Sequence, residues 1–266
     1  MPMLDVEGSN IYYQVKGEGT PIVFIHPPLL TSTNFVYQLE QLSKTFKVIT
    51  FDIRGHGKSV YSKQAITYPL IVNDIVNLLD YLKIEKAFIC GYSTGGSILL
   101  EFLLMNPSRG LGGIIISGMS EVKDFYLKQR IALAVKLANK KAISVLTLAV
   151  AWGNSNTRQV FRKLYKDASY GDARNIQQYY NYSLRYNCTS RLQDINSPVL
   201  LVFGTKDKAF HQYAHLLHEK LPHNEFVFLE NEKHQIPTKA VVKLNEKIDT
   251  FIQKHSVINA LQNKRL

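Results

Sequence analysis

Phe88-Ile89-Cys90-Gly91-Tyr92-Ser93-Thr94-Gly95-Gly96 decides how the chain is read. An apolar run stops at a glycine, a serine follows, and two more glycines lead into Ser97 to Met105, where Ile98, Leu99, Phe102 and Leu103 recur at helical spacing. Asn106-Pro107 then ends the helix, because proline cannot continue it. The stretch reads as strand, sharp turn, helix, with Ser93 at the turn. A serine forced into such a turn needs neighbours without Cβ atoms where strand and helix approach closely, which Gly91, Gly95 and Gly96 supply. By itself the pattern also fits a tight turn with a satisfied hydroxyl; the partners along the chain decide between the two.

Outward from that turn the same alternation repeats. Leu4 to Val6 and Ile11 to Val15 flank Gly8-Ser9-Asn10 as a hairpin. Pro21 to His26 is a continuous apolar strand, as expected where helices cover both faces. A helix over 33–42, a strand Val48 to Phe51, and a helix that opens at Tyr68-Pro69 follow. Behind Ser93 come the strand Gly113 to Ser117 and, much later, Val199 to Gly204, a helix His211 to Leu221, a strand Glu225 to Leu229 and a closing helix with Val241, Leu244, Ile248, Phe251 and Ile252. This order predicts an α/β fold: a mostly parallel central sheet flanked by helices, with ligands beyond the carboxyl ends of the strands. Between Met119 and Ser190 strand spacing gives way to helical spacing. The expected organisation is a core of 1–118 and 191–266 with a helical cap at 119–190.

Composition bounds the function. With 266 residues, 45% of them apolar, the chain can bury a large core. Two cysteines, Cys90 and Cys188, make no disulfide framework, no secretory leader is visible at the start, and no segment reaches bilayer length; a cytoplasmic protein is expected. The net charge of +11 is concentrated in 119–190, which holds 12 Lys and Arg against 4 Asp and Glu, a surplus of 8. The basic residues are spread along the segment rather than gathered in a block, so neither nucleic acid nor membrane is expected as a partner. No glycine-rich dinucleotide or phosphate loop occurs, so no cofactor is implied, and no metal.

A serine hydroxyl is a weak nucleophile and needs a base oriented by a carboxylate. Asp207, after the strand Val199 to Phe203, and His234, after the strand Glu225 to Leu229, each end a different strand, so both converge with Ser93 on one rim of the sheet. His26 and His56 lie on the same rim ahead of Ser93 and read as residues that fix their loops. His211, His215 and His218 share one helix face, whose simplest reading is solvated.

Together, His26, Asp52-x-Arg54-Gly55-x-Gly57-x-Ser59, Gly91-x-Ser93-x-Gly95, Gly204-x-x-Asp207 and His234 make the chain resemble the α/β-hydrolase superfamily over nearly its full length, in particular its cap-bearing esterase-like members. The resemblance implies Ser93 as nucleophile, His234 as base and Asp207 as orienting acid, with the Thr94 N–H in the oxyanion hole. One departure stands out. Relatives follow the histidine of the third strand with glycine and then a residue whose N–H binds the oxyanion, whereas here the run is His26-Pro27-Pro28-Leu29, and Pro28 has no N–H. Either Leu29 takes over as donor or the chemistry is slow, at a cost of about 3 kcal/mol in transition-state stabilisation. Tyr92 and Trp152 are the expected substrate-binding residues, and Arg130, Arg162 and Arg185 are available to hold a carboxylate. The expected function is cleavage of a small to medium ester, or a related acyl or carbon–carbon bond, through an acyl-enzyme. The alternative is a ligand-sensing protein of low turnover that keeps the triad.

Overall fold

The structure, a computed structural model, describes residues 2–263, with side chains to residue 256. Eight strands form one sheet: β1 (Met3–Val6), β2 (Ser9–Lys16), β3 (Pro21–Ile25), β4 (Lys47–Phe51), β5 (Ala87–Tyr92), β6 (Gly110–Ile116), β7 (Val199–Gly204) and β8 (Asn224–Leu229). Their order is β1-β2-β4-β3-β5-β6-β7-β8. Only the pairings of β2, with β1 and with β4, are antiparallel; every other pair is parallel. Ile22 to Ile25 and Ala87 to Cys90 are completely buried, as their unbroken apolar runs require when helices cover both faces of the sheet.

The helices outside the 119–190 segment begin with a short 3-10 turn (Ser32–Phe35) and α1 (Val36–Leu42). After them come α2 (Tyr68–Tyr81), α3 (Thr94–Met105), α8 (Lys208–Lys220), α9 (Ile236–Lys239) and α10 (Val241–Asn263). The start of α2 follows from local chemistry: the Thr67 hydroxyl accepts from Leu70 N–H, and Pro69 sits in the first turn, where a missing donor costs nothing. Strand β6 begins three residues ahead of the apolar run, because Gly110 and Gly112 pair with β5 although they add no apolar signal.

Between β6 and β7 lie α4 (Phe125–Leu137), α5 (Ile143–Gly153), α6 (Arg158–Ala168) and α7 (Ala173–Arg185). Asp124, Thr157 and Asp172 each accept a hydrogen bond from an N–H in the first turn of α4, α6 and α7. α4 packs on α7, and α5 on α6. An isolated antiparallel bridge between Glu121 and Asn187 brings the two ends of this excursion together. Among the described residues no helix is long and apolar enough to cross a membrane.

Candidate active site

Ser93 occupies the one residue between β5 and α3, at φ 54° and ψ −120°. A non-glycine residue in that region costs about 1–3 kcal/mol and persists only where its surroundings hold it. Here the Ser93 N–H donates to the Ile116 carbonyl of the neighbouring strand at 2.8 Å. Two glycines clear the space: a Cβ on Gly91 would lie 2.2 Å from the Gly95 oxygen, and one on Gly95 2.3 Å from the Ile25 oxygen.

The structure brings the three residues singled out in the sequence together. Ser93 Oγ lies 3.1 Å from His234 Nε2, and His234 Nδ1 lies 2.7 Å from Asp207 Oδ2. Because a carboxylate can only accept, Nδ1 carries the proton of the neutral ring and Nε2 is left to accept from the serine. The two loops that carry Asp207 and His234 are themselves joined, the Lys206 N–H donating to the Glu232 carbonyl at 2.8 Å. Phe210, at the start of α8, packs its ring 4.2 Å from the imidazole centroid, and Tyr92 packs at 5.4 Å.

Ser93 and His234 open on a cavity of about 330 Å³, roofed from α4 and α5 by Leu127, Arg130, Ile131, Leu146 and Val150. The Tyr92 ring lines it, and the Tyr92 hydroxyl donates to Asn154 Oδ1 at 3.0 Å; burial pushes that phenol far above its usual range, so it stays a donor. Arg130 also lines the cavity, whereas Arg162 and Arg185 do not. Trp152 departs from expectation. It is 67% exposed, lies outside the lining and packs edge-on against Phe161 at 5.5 Å. Helix α5 is apolar on every side, so periodicity cannot say which face turns inward, and it is the face of Leu146 and Val150 that does.

Pro27 and Pro28 form part of the cavity wall, and Leu29 adopts a φ of 71° with its side chain packed in the core. Among the described residues neither the Leu29 nor the Thr94 N–H has a backbone or side-chain acceptor. Below this loop, His26 Nε2 accepts from the Ile53 N–H at 2.9 Å, so Nδ1 carries the proton and donates to the Pro27 carbonyl at 2.9 Å. Burial lowers the His26 pKa to about 4. His56 donates from Nδ1 to the Arg54 carbonyl at 3.0 Å, and burial together with His26 lowers it to about 3. Both are therefore neutral supports of their loops at physiological pH.

Sequence reasoning missed Tyr179 and Tyr180. The Tyr179 hydroxyl donates to the His26 carbonyl at 3.0 Å and accepts from Thr94 Oγ1 at 3.4 Å, while the Tyr180 hydroxyl reaches the Pro28 carbonyl at 3.5 Å. No motif links positions this far apart, so no local signal pointed to them. The helical histidines have separate partners: His211 the Gly204 carbonyl, His218 the Asn224 side chain, and His215 the rings of Phe226 and Phe228.

Residues 20–237 match the model of the alpha/beta hydrolase fold family. Over 253 residues the chain is 27% identical to a dihydrolipoyllysine-residue acetyltransferase component of an acetoin cleaving system of Pseudomonas putida, which covers 92% of this chain and 66% of that protein. Over 104 residues it is 36% identical to an sn-1-specific diacylglycerol lipase of Danio rerio, covering 37% of this chain and 32% of the other. The chain thus spans between about a third and two thirds of the length of these curated relatives. Among solved structures, an esterase of Exiguobacterium antarcticum superposes with a TM-score of 0.84 at 20% identity, covering 93% of this chain and 97% of that one. An enol-lactonase of Burkholderia xenovorans superposes at 0.83 and 20%, covering 95% and 100%. At these identities the structural likeness is one of fold.

Proposed function

The chain belongs to the alpha/beta hydrolase family, and on that premise we propose that it is a serine hydrolase that cleaves a small to medium ester through an acyl-enzyme. The observation that carries the reading is the run of hydrogen bonds from Asp207 through His234 to Ser93, ending at an apolar cavity. In this reading Ser93 Oγ attacks the carbonyl carbon and gives its proton to His234 Nε2, while Asp207 holds the ring and stabilises the imidazolium. The oxygen that becomes negative is held in this reading by the N–H groups of Thr94 and Leu29, neither of which has a protein acceptor among the described residues. When the carbon–oxygen bond breaks, His234 returns the proton to the leaving alcohol. Water then gives a proton to His234 and adds to the acyl carbon, and Ser93 leaves with that proton.

The cavity, at the small end of the about 300–1,000 Å³ typical of ligand sites, favours a small to medium acyl group. Arg130 offers the lining a guanidinium for an acid carrying a second carboxylate. Residues 119–190 act in this reading as a helical cap on a core of 1–118 and 191–266. A second reading, a ligand sensor of low turnover, is favoured by the absence of an N–H at Pro28. Fluorophosphonate labelling followed by a panel of esters, half-esters of dicarboxylic acids included, separates the two. Labelling with rapid turnover supports the hydrolase, labelling without turnover the sensor, and no labelling removes Ser93 as nucleophile.

A further inference from the structure

Helix α5 presents an apolar face to solvent. Val145, Leu148 and Trp152 recur at the three- and four-residue spacing that aligns side chains on one side of a helix, and they are 63%, 50% and 67% exposed. A helix apolar all round normally lies inside a core or a bilayer, yet only Leu146, Thr147 and Ala151 of α5 are buried. Beside it, α4 exposes Phe125, Tyr126 and Leu133. Exposed apolar patches of this kind mark surfaces that bind a protein or a membrane.

Charge selects the cover. All 12 Lys and Arg of residues 119–190 are exposed, and among the described residues none of them is in an ion pair. Nine of them lie on α4, α6 and α7 and none on α5, while Lys140 and Lys141 stand directly before α5. A second copy on this face would set two segments of surplus charge +8 against each other. Exposed aromatic and aliphatic side chains among unpaired lysines instead match an anionic bilayer surface, whose headgroups attract the cations while the apolar groups enter the acyl boundary.

We propose that the outer face of α4 and α5 docks on an anionic lipid surface. Arg130 and Leu133 are both exposed and part of the cavity lining, so docking sets the cavity mouth at the bilayer. The proposal stands on the exposed face and its charge and does not depend on the hydrolase reading.

Trp152 is the only tryptophan of the chain, so its fluorescence reports the docked face without labelling. Titration with phosphatidylcholine vesicles containing phosphatidylglycerol is expected to shift its emission to shorter wavelength, with quenching by brominated acyl chains. Pure phosphatidylcholine should give no shift, and added salt should reverse the effect. The double variant Val145→Ser, Leu148→Ser keeps the reporter and every cavity residue and is expected to partition about tenfold more weakly or less. Lys140→Glu with Lys141→Glu should weaken it by about tenfold too. Circular dichroism confirms that each variant is folded. Unchanged emission of the natural protein with anionic vesicles overturns the proposal. So does a blue shift that grows with protein concentration in the absence of lipid, which would assign the face to a second copy.

Discussion

The Tyr179 hydroxyl, on α7, donates at 3.0 Å to the carbonyl oxygen of His26, at the end of β3. Burial pushes the phenol well above its ordinary pKa, so it remains a donor throughout the accessible pH range. Thr94 Oγ1 donates to the same oxygen of Tyr179 at 3.4 Å, so one side chain of the 119–190 segment spans the two loops that supply the proposed oxyanion donors. Replacing it by phenylalanine leaves a buried carbonyl unpartnered, at about 1–3 kcal/mol of stability. Tyr179→Phe is therefore expected to lower the melting temperature and to reduce kcat by about tenfold, with KM little changed, since the loss falls on loop alignment. A variant as active as the natural protein would detach α7 in function from the loop of Pro27 to Leu29.

Ser93→Ala and His234→Ala are each expected to lower kcat by about 10⁴-fold or more, because residues that act as one unit fail together. The strained backbone of Ser93 supplies a second, independent readout. Ser93→Gly removes the same hydroxyl but adopts φ 54° freely, so it should be more stable than Ser93→Ala by about 1 kcal/mol in urea unfolding. Equal stability of the two variants would mean that the turn stores no strain.

What the sequence makes legible follows from what each residue interacts with. Ser93, Asp207 and His234 were legible because each lies at the carboxyl end of a strand, and the continuous apolar runs of β5, β7 and β8 identify those strands locally. Trp152 was not, because an all-apolar helix has no preferred face until its neighbours are placed. Tyr179 depends on a contact spanning 153 positions, which no spacing rule within the chain encodes.

His26 and His56, with pKa values lowered by burial to about 4 and about 3, predict how stability depends on pH. In the unfolded chain both titrate near about 6.5. Below that value the unfolded state binds protons that the folded state refuses, so acid favours unfolding. Their contribution is complete above about pH 6.5 and is lost progressively as the pH falls below it, the loss ending near about pH 4 for His26 and about 3 for His56, with a limiting slope of about 1.4 kcal/mol per pH unit for each ring. Unfolding free energies between pH 7.5 and 4.5 measure the slope. His56→Asn keeps an N–H donor for the Arg54 carbonyl and removes one titrating group, so its slope should be about half as steep. An unchanged slope would place the acid sensitivity elsewhere.

Pro28 fixes the backbone just ahead of Leu29, whose φ of 71° is one that leucine rarely adopts, and Leu29 is anchored by a side chain 1% exposed in the core. That arrangement holds the Leu29 N–H in one orientation, as a donor must be held if it is to stabilise charge without reorganising at the moment of reaction. Pro28→Gly restores an N–H at the position where relatives supply one and at the same time frees the loop. If Leu29 already serves, the added donor is redundant and the freedom is harmful, so kcat is expected to fall by about tenfold while fluorophosphonate labelling slows in parallel. A rise in kcat toward the about hundredfold that one oxyanion donor can contribute would instead show that the natural loop lacks its second donor. That result would move the protein from hydrolase to low-turnover sensor, with Pro28 as the residue that holds turnover down.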